Sequence, residues 1–143
     1  MITVQRILFL KNVPLFSTMP PDTLAWVAEA ADEVNYLAGQ TIFEKGSRGD
    51  SMYVIADGTV IIHDEGKILA ELPREAFFGE LSILDGETRS ASAKAKSDCF
   101  LLVIRQVSFR RILSKQFDVT ESLLKILVRR IREQSAQIQK ESK

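Results

Sequence analysis

The run Phe78-Gly79-Glu80-Leu81-Ser82-Ile83-Leu84-Asp85-Gly86-Glu87-Thr88-Arg89-Ser90-Ala91-Ser92-Ala93 sets a glycine, a carboxylate and an arginine around one short helical turn. Backbone N–H groups at a helix start attract an anion, and Gly79, lacking a Cβ, lets a bound group come close. Arg89 would supply a planar charged fork and Glu80 an acceptor for a sugar hydroxyl. This chemistry suits a small cyclic phosphate. If Thr88 to Ser97 is a strand, alternation puts Arg89, Ala91, Ala93 and Ala95 on one face and Ser90, Ser92, Lys94 and Lys96 on the other. The lysine face must be the wet one, so Arg89 points inward beside small alanines. A buried unpaired charge costs several kcal/mol, so a partner is required. Two remain open: an anionic ligand, or Glu80 itself in a structural ion pair that closes a barrel.

Outward from this run, Glu33 to Ile104 consists of short apolar stretches broken at Gly39, Gly46 to Asp50, Asp57-Gly58, Glu65-Gly66 and Asp85-Gly86. Regular turns between short strands predict a β-barrel or sandwich. Ahead of it, Val4 to Leu10 reads as a helix stopped by Pro14. Ser17 to Asp22 then offers caps and first-turn prolines to a second helix over Pro21 to Ala31. Leu24, Val27, Ala28 and Ala31 share its apolar face, with Trp26 beside it. Helical spacing returns at Ser108 to Phe117 and at Val119 to Lys140, where Leu124, Ile131 and Ile138 recur every seven residues with Leu127 between. The polar end, Gln137 to Lys143, is expected to fray. One module of class α+β results: a helical segment over 1–32, a β-barrel over 33–105 holding the 78–93 run, and helices over 106–143.

The 143 residues suffice for one well-built core. Lys+Arg and Asp+Glu both total 19, so no basic excess points to nucleic acid. With one cysteine, Cys99, no disulfide can form within the chain, and its apolar surroundings make it a packing residue. Nucleophilic catalysis would need a base beside it, and the one histidine, His63, belongs to another turn region. A lone histidine without a cysteine pair anchors no zinc or iron site, which also excludes a cupin-like metalloenzyme. No stretch approaches a membrane span or a secretory signal, and a reducing cytoplasmic setting is expected.

Phe78-Gly79-Glu80-Leu81, the nine-residue step from Glu80 to Arg89, and Arg89-Ser90-Ala91 resemble the phosphate-binding cassette of the cyclic nucleotide-binding domain family, the type found in catabolite gene activators and protein kinase A regulatory subunits. Val13-Pro14-Leu15-Phe16 resembles the family's N-terminal helical segment. Phe43, Gly46, Gly49-Asp50-Ser51-Met52-Tyr53-Val54-Ile55, Gly58 and Val60 resemble its first strands. The resemblance runs from about Leu8 to Gln139. It implies a jelly-roll (double-stranded β-helix) barrel with helices packed on it at both chain ends. It further implies that Glu80 bonds the ribose 2′-hydroxyl, Arg89 the cyclic phosphate, and the backbone of Gly79, Leu81, Ser82, Ser90 and Ala91 the rest of the ligand. Where the family often has Gly-Asp ahead of the cassette, this chain has Glu75-Ala76, so a different turn type is expected there.

Family members that favour guanine often carry threonine after the arginine. Ser90 leans toward adenine, so cyclic AMP is expected ahead of cyclic GMP, with no cofactor besides. Val128-Arg129-Arg130-Ile131 resembles the terminal helix of the bacterial catabolite gene activators, a register that puts Gln134 and Ser135 within reach of the base. Both equally suit an amphipathic surface, and Gln134 falls at a d position of the heptad pattern. Arg110-Arg111 and Arg129-Arg130-Ile131-Arg132 read as solvated helix faces, with contact to a partner's acidic surface or a ligand's second shell as the alternative, and Trp26 and Tyr53 as packed aromatics outside the site. The expected function is a non-enzymatic ligand sensor in which occupancy of the barrel moves the terminal helices. Its partners would be the cyclic nucleotide, a second copy through the terminal helix, or an effector in a longer parent chain. The alternative is a structural or interaction domain of the same fold without ligand, whose mark would be a missing Glu80 or Arg89. Both are present. No helix-turn-helix is expected after Ile138, and no direct nucleic acid contact.

Overall fold

The computed structural model describes residues 1–141. Its elements in chain order are α1 (Thr3–Lys11), α2 (Pro21–Ala30), β1 (Asp32–Tyr36), β2 (Thr41–Phe43), β3 (Ser51–Asp57), β4 (Val60–Asp64), β5 (Lys67–Leu72), β6 (Phe77–Phe78), α3 (Glu80–Asp85), β7 (Ser92–Ala95), β8 (Cys99–Arg105), α4 (Gln106–Lys115) and α5 (Phe117–Glu141). The strands form two four-stranded antiparallel sheets, ordered β1-β8-β3-β6 and β2-β7-β4-β5. This is the expected jelly-roll architecture flanked by helices.

Alternation along β3 and β8 explains why Met52-Tyr53-Val54-Ile55-Ala56 reads as an unbroken apolar run. Met52, Val54 and Ala56, with Leu102 and Ile104 of β8, share a core with Phe9, Leu24 and Val27 of the N-terminal helices and Phe109 and Leu123 of the C-terminal ones. Ile55, Cys99 and Leu101 face the other way and meet Val60, Ala93 and Ala95 of the second sheet. Strands covered on both faces need no polar alternation. The second sheet is wet on its outside, and there alternation survives: Ala93 and Ala95 are buried, whereas Lys94 is half-buried and Lys96 exposed.

The expected strand Thr88 to Ser97 is shorter in the structure, spanning Ser92–Ala95, with Thr88 held by an isolated bridge to Arg48. The bend at Ser90 and Ala91 carries the chain from the cassette into the sheet, yet the parity survives. Arg89 is 5% and Ala91 8% exposed. Helix α2 has no side-chain cap. Pro20 stands at its N-cap and Pro21 in its first turn, where a missing N–H costs nothing. Helix α4 starts at Gln106, two residues ahead of the expected Ser108, and α5 at Phe117 in place of Val119, so Gln116 alone separates them. The polar end is helical through Glu141; the last two residues of the segment expected to fray lie outside the described residues.

Glu75 corrects the expected change of turn. It adopts φ +76, the left-handed conformation a glycine would take. Its N–H donates to the Ile55 carbonyl at 2.8 Å, and the Ile55 N–H donates to Ala76 at 2.9 Å. Two hydrogen bonds to β3 therefore keep a glycine-type turn around a residue that pays a steric penalty for it.

Candidate ligand-binding site

The cassette begins at Gly79, the N-cap of α3, with φ +86. A Cβ there would lie 2.8 Å from Arg89 Nη1 and 3.1 Å from the Ser51 carbonyl, so both conformation and space demand glycine. Gly86, φ +73, ends the helix, its N–H donating to the Ser82 carbonyl at 3.1 Å.

Arg89 reaches back under this helix. Its Nη1 donates to the Gly79 carbonyl at 2.7 Å and to Ser82 Oγ at 3.0 Å, and its Nη2 to the Ser51 carbonyl at 2.7 Å. The guanidinium carbon lies 4.1 Å from the Phe43 ring centre and 6.0 Å from that of Tyr53, which stacks on Phe78 at 5.1 Å. Among the described residues Nε has no hydrogen-bond partner. Burial pulls the guanidinium down from its ordinary value, while Tyr53, Asp50 and Glu80 act in the opposite direction. The ion pair between Glu80 and Arg89, open on sequence, is not formed. Glu80, 2% exposed, accepts a hydrogen bond from Arg130 Nη1 of α5 at 2.6 Å, and Arg130 also lies 5.2 Å from the Phe77 ring centre.

A cavity of about 660 Å³ opens over these groups, within the usual range for small-ligand pockets. Gly79, Glu80, Leu81, Ser82, Arg89, Ser90 and Ala91 all line it; Ile62, Leu69 and Leu72 supply an apolar wall, and Arg130, Glu133, Gln134 and Gln137 of α5 close one side. Ser135 is not among the lining residues, and shares a heptad position with the exposed Val128.

Phe43 is a residue that reading the sequence missed, and Arg130 reads first as part of a solvated face, with a ligand's second shell only as the alternative. For Arg130 a signal existed: Leu127, Arg130, Gln134 and Gln137 follow the 3-4-3 spacing of one helical face. Leu127 packs on the core, so that face turns inward. Phe43 carried no such mark, because only folding brings β2 beside Arg89. His63 is half-buried on β4, and among the described residues no cluster of His, Cys, Asp or Glu could hold a metal ion. Cys99 is buried, its thiol donating to the Thr59 and Ser97 carbonyls, and burial pushes it up from its ordinary value. Among the described residues no helix is long and apolar enough to cross a membrane.

A buried arginine, a glycine cradle and a buried carboxylate line one cavity, an arrangement that suits an anion. Residues 33–116 match the cyclic nucleotide-binding domain family. The chain belongs to that family. The matched span includes the whole cassette and ends at the residue between α4 and α5. The cAMP-dependent protein kinase regulatory subunits of Aspergillus fumigatus and Aspergillus niger are 37% and 34% identical over 114 and 113 residues, 78% of this chain in both cases. The chain spans only about a quarter of the length of these relatives, 27% and 28%. Among solved structures, the Thermus thermophilus catabolite activator protein is similar with TM-score 0.79 and 30% identity, over 88% of this chain and 62% of that one. The regulatory domain of Toxoplasma gondii PKA, crystallised with cAMP, shares the fold with TM-score 0.80 at 23% identity, over 89% and 50%.

Proposed function

We propose that this family member binds cyclic AMP in the cavity between the cassette and α5, and that α5 reports the occupancy. The observation that carries the reading is Arg89: a cation 5% exposed, held by three neutral oxygens and, among the described residues, with an unpartnered Nε and no carboxylate bonded to it. A phosphodiester anion supplies the missing countercharge. Leu81, Ser82, Ser90 and Ala91 complete the phosphate and sugar contacts through their backbone. Glu80 accepts the ribose 2′-hydroxyl, with one carboxylate oxygen shared with Arg130. Gln134, which lines the cavity from α5, would meet the adenine. This is the chemistry of binding and regulation.

Two features couple the site to α5. Arg130 holds the helix to Glu80, and Gln134 and Gln137 border the cavity. A ligand that rearranges Glu80 changes what holds α5, and the shift equals its differential affinity for the two arrangements. On the opposite face Phe117, Leu124, Val128, Ile131 and Ile138 are 47 to 74% exposed and follow a 7-4-3-7 spacing. That spacing is a coiled-coil seam, and a second copy of the chain is its occupant. An effector would be carried by the remainder of a longer protein, since the relatives of this chain are about three times its length.

Calorimetric titration with cyclic AMP and cyclic GMP tests the ligand. Arg89→Met should weaken cyclic AMP at least about a hundredfold, the effect of losing a charge-assisted contact of roughly 3 kcal/mol. Equal affinity in wild type and variant, with both folded by circular dichroism, sinks the reading. For the dimer, a wild type that sediments as a monomer, or as the same dimer after Leu124 and Ile131 are both changed to Ser, removes the seam.

A further inference from the structure

Helix α3 has six residues and is held at both ends by arginines from other elements. At its start Arg89 donates to Gly79 and Ser82, and Arg130 to Glu80. At its end Arg110 of α4 donates from Nη2 to the Ile83 carbonyl at 2.7 Å. The last carbonyls of a helix have no partner within it. Ser82 finds one in the Gly86 N–H; Ile83 finds one in Arg110.

The apolar anchoring of α3 is slight. Ile83 is fully buried, sharing its core with Phe109 and Ile112 of α4, whereas Leu81 and Leu84 are 47% and 38% exposed. Apolar contact is non-directional and tolerates sliding, but a hydrogen bond from a planar guanidinium fixes distance and angle. Arg110 follows Phe109 directly, so a residue that shares the buried core with Ile83 and the residue that bonds its carbonyl are neighbours on one helical turn.

We propose that Arg110 is a positioning residue that makes α3 and α4 one moving body, so that a phosphate felt by α3 at Arg89 is transmitted to α4 and, across Gln116, to α5. The inference rests on the cyclic nucleotide reading. Arg110 is absent from the cavity lining and acts only through the cassette helix.

Hydrogen exchange of the full chain with and without cyclic AMP tests it, alongside calorimetry and thermal melts. In the wild type, the ligand should change exchange across 106–141 by about tenfold or more, the usual size of a coupled equilibrium. Arg110→Met keeps the aliphatic stem and removes every donor. It should bind cyclic AMP within about threefold of wild type while the ligand-induced change in 106–141 falls below about twofold. Arg110→Lys, whose ammonium restores an N–H donor to the Ile83 carbonyl, should recover most of the response. If Arg110→Met does not fold, Arg110→Gln, two bonds too short to reach Ile83, takes its place with the same expected loss. An undiminished response in a variant that binds overturns the inference and leaves the ligand reading intact. A variant that loses binding as fully as Arg89→Met also overturns it, by placing Arg110 in the site itself. A wild type that binds no cyclic nucleotide refutes the ligand reading, and this inference falls with it.

Discussion

Glu75→Gly should stabilise the protein, although it deletes a side chain and an ion pair. Glu75 sits at φ +76, where an L-residue other than glycine incurs about 1–2 kcal/mol of steric cost. Glycine removes that cost and adds about 0.4–1 kcal/mol of unfolded-chain entropy, leaving a net gain of about 0.5–1 kcal/mol. The ion pair lost, Arg74 Nη1 to Glu75 Oε1 at 3.6 Å, has side chains 58% and 37% exposed and contributes about zero. With an unfolding entropy of about 2.1 cal/mol/K per residue, a 143-residue chain gains roughly 3 °C per kcal/mol, so the midpoint should rise by about 1.5–3 °C. Glu75→Ala is the control: it keeps the strained backbone, loses the same ion pair, and should melt with wild type. Thermal and urea unfolding read the stability, and calorimetry should find cyclic AMP affinity unchanged, because Glu75 does not line the cavity. If Glu75→Gly melts at or below wild type, or Glu75→Ala gains as much, the strain argument is wrong.

Three further outcomes follow from the geometry. Arg130→Met leaves Glu80, 2% exposed, without its cation; because Arg130 is itself 41% exposed, about 1–2 kcal/mol of stability should be lost in urea titration, with faster hydrogen exchange in α5, and unchanged exchange there would show that the pair does not hold the helix. Gly49→Ala would drive a Cβ into Ser82 and to 2.8 Å from Arg89 Nε, so a loss of about 1–3 kcal/mol together with weaker cyclic AMP binding is expected; a variant with both at wild-type values refutes the close packing of Gly49 under the cassette. The Cys99 thiol, buried and pushed up from its ordinary value, should react with a chromogenic disulfide at neutral pH at least about tenfold slower in the native protein than in guanidinium, and equal rates would place it at the surface.

Much of the site was legible because its residues are close in the chain. Glycine, acid and arginine of the cassette lie within eleven residues, and period-two alternation alone gave Arg89 its inward direction, even though the strand that justified it is only four residues long. The helix bounds were less secure at α4 and α5, since Gln106 and Phe117 mark starts that carry no proline, cap or turn signal. The partner of Arg89 could not be read either. Its oxygens come from Ser51, Gly79 and Ser82, and its aromatic platform from Phe43, groups up to 46 residues away.

The sequence by itself determined a β-barrel or sandwich between helices and the inward Arg89, because local turn chemistry and side-chain alternation act over a few residues and do not depend on what packs against them; the jelly-roll class and the cassette came from its resemblance to a known family. Only the tertiary structure decided that Glu80 pairs with Arg130 rather than Arg89, that Gln134 rather than Ser135 faces the cavity, and that Glu75 holds a glycine's conformation. Each of these turns on how distant elements dock. The docking of α5 selects one helical face for the barrel, and the two hydrogen bonds to Ile55 in β3 outweigh a local backbone preference worth about 1–2 kcal/mol.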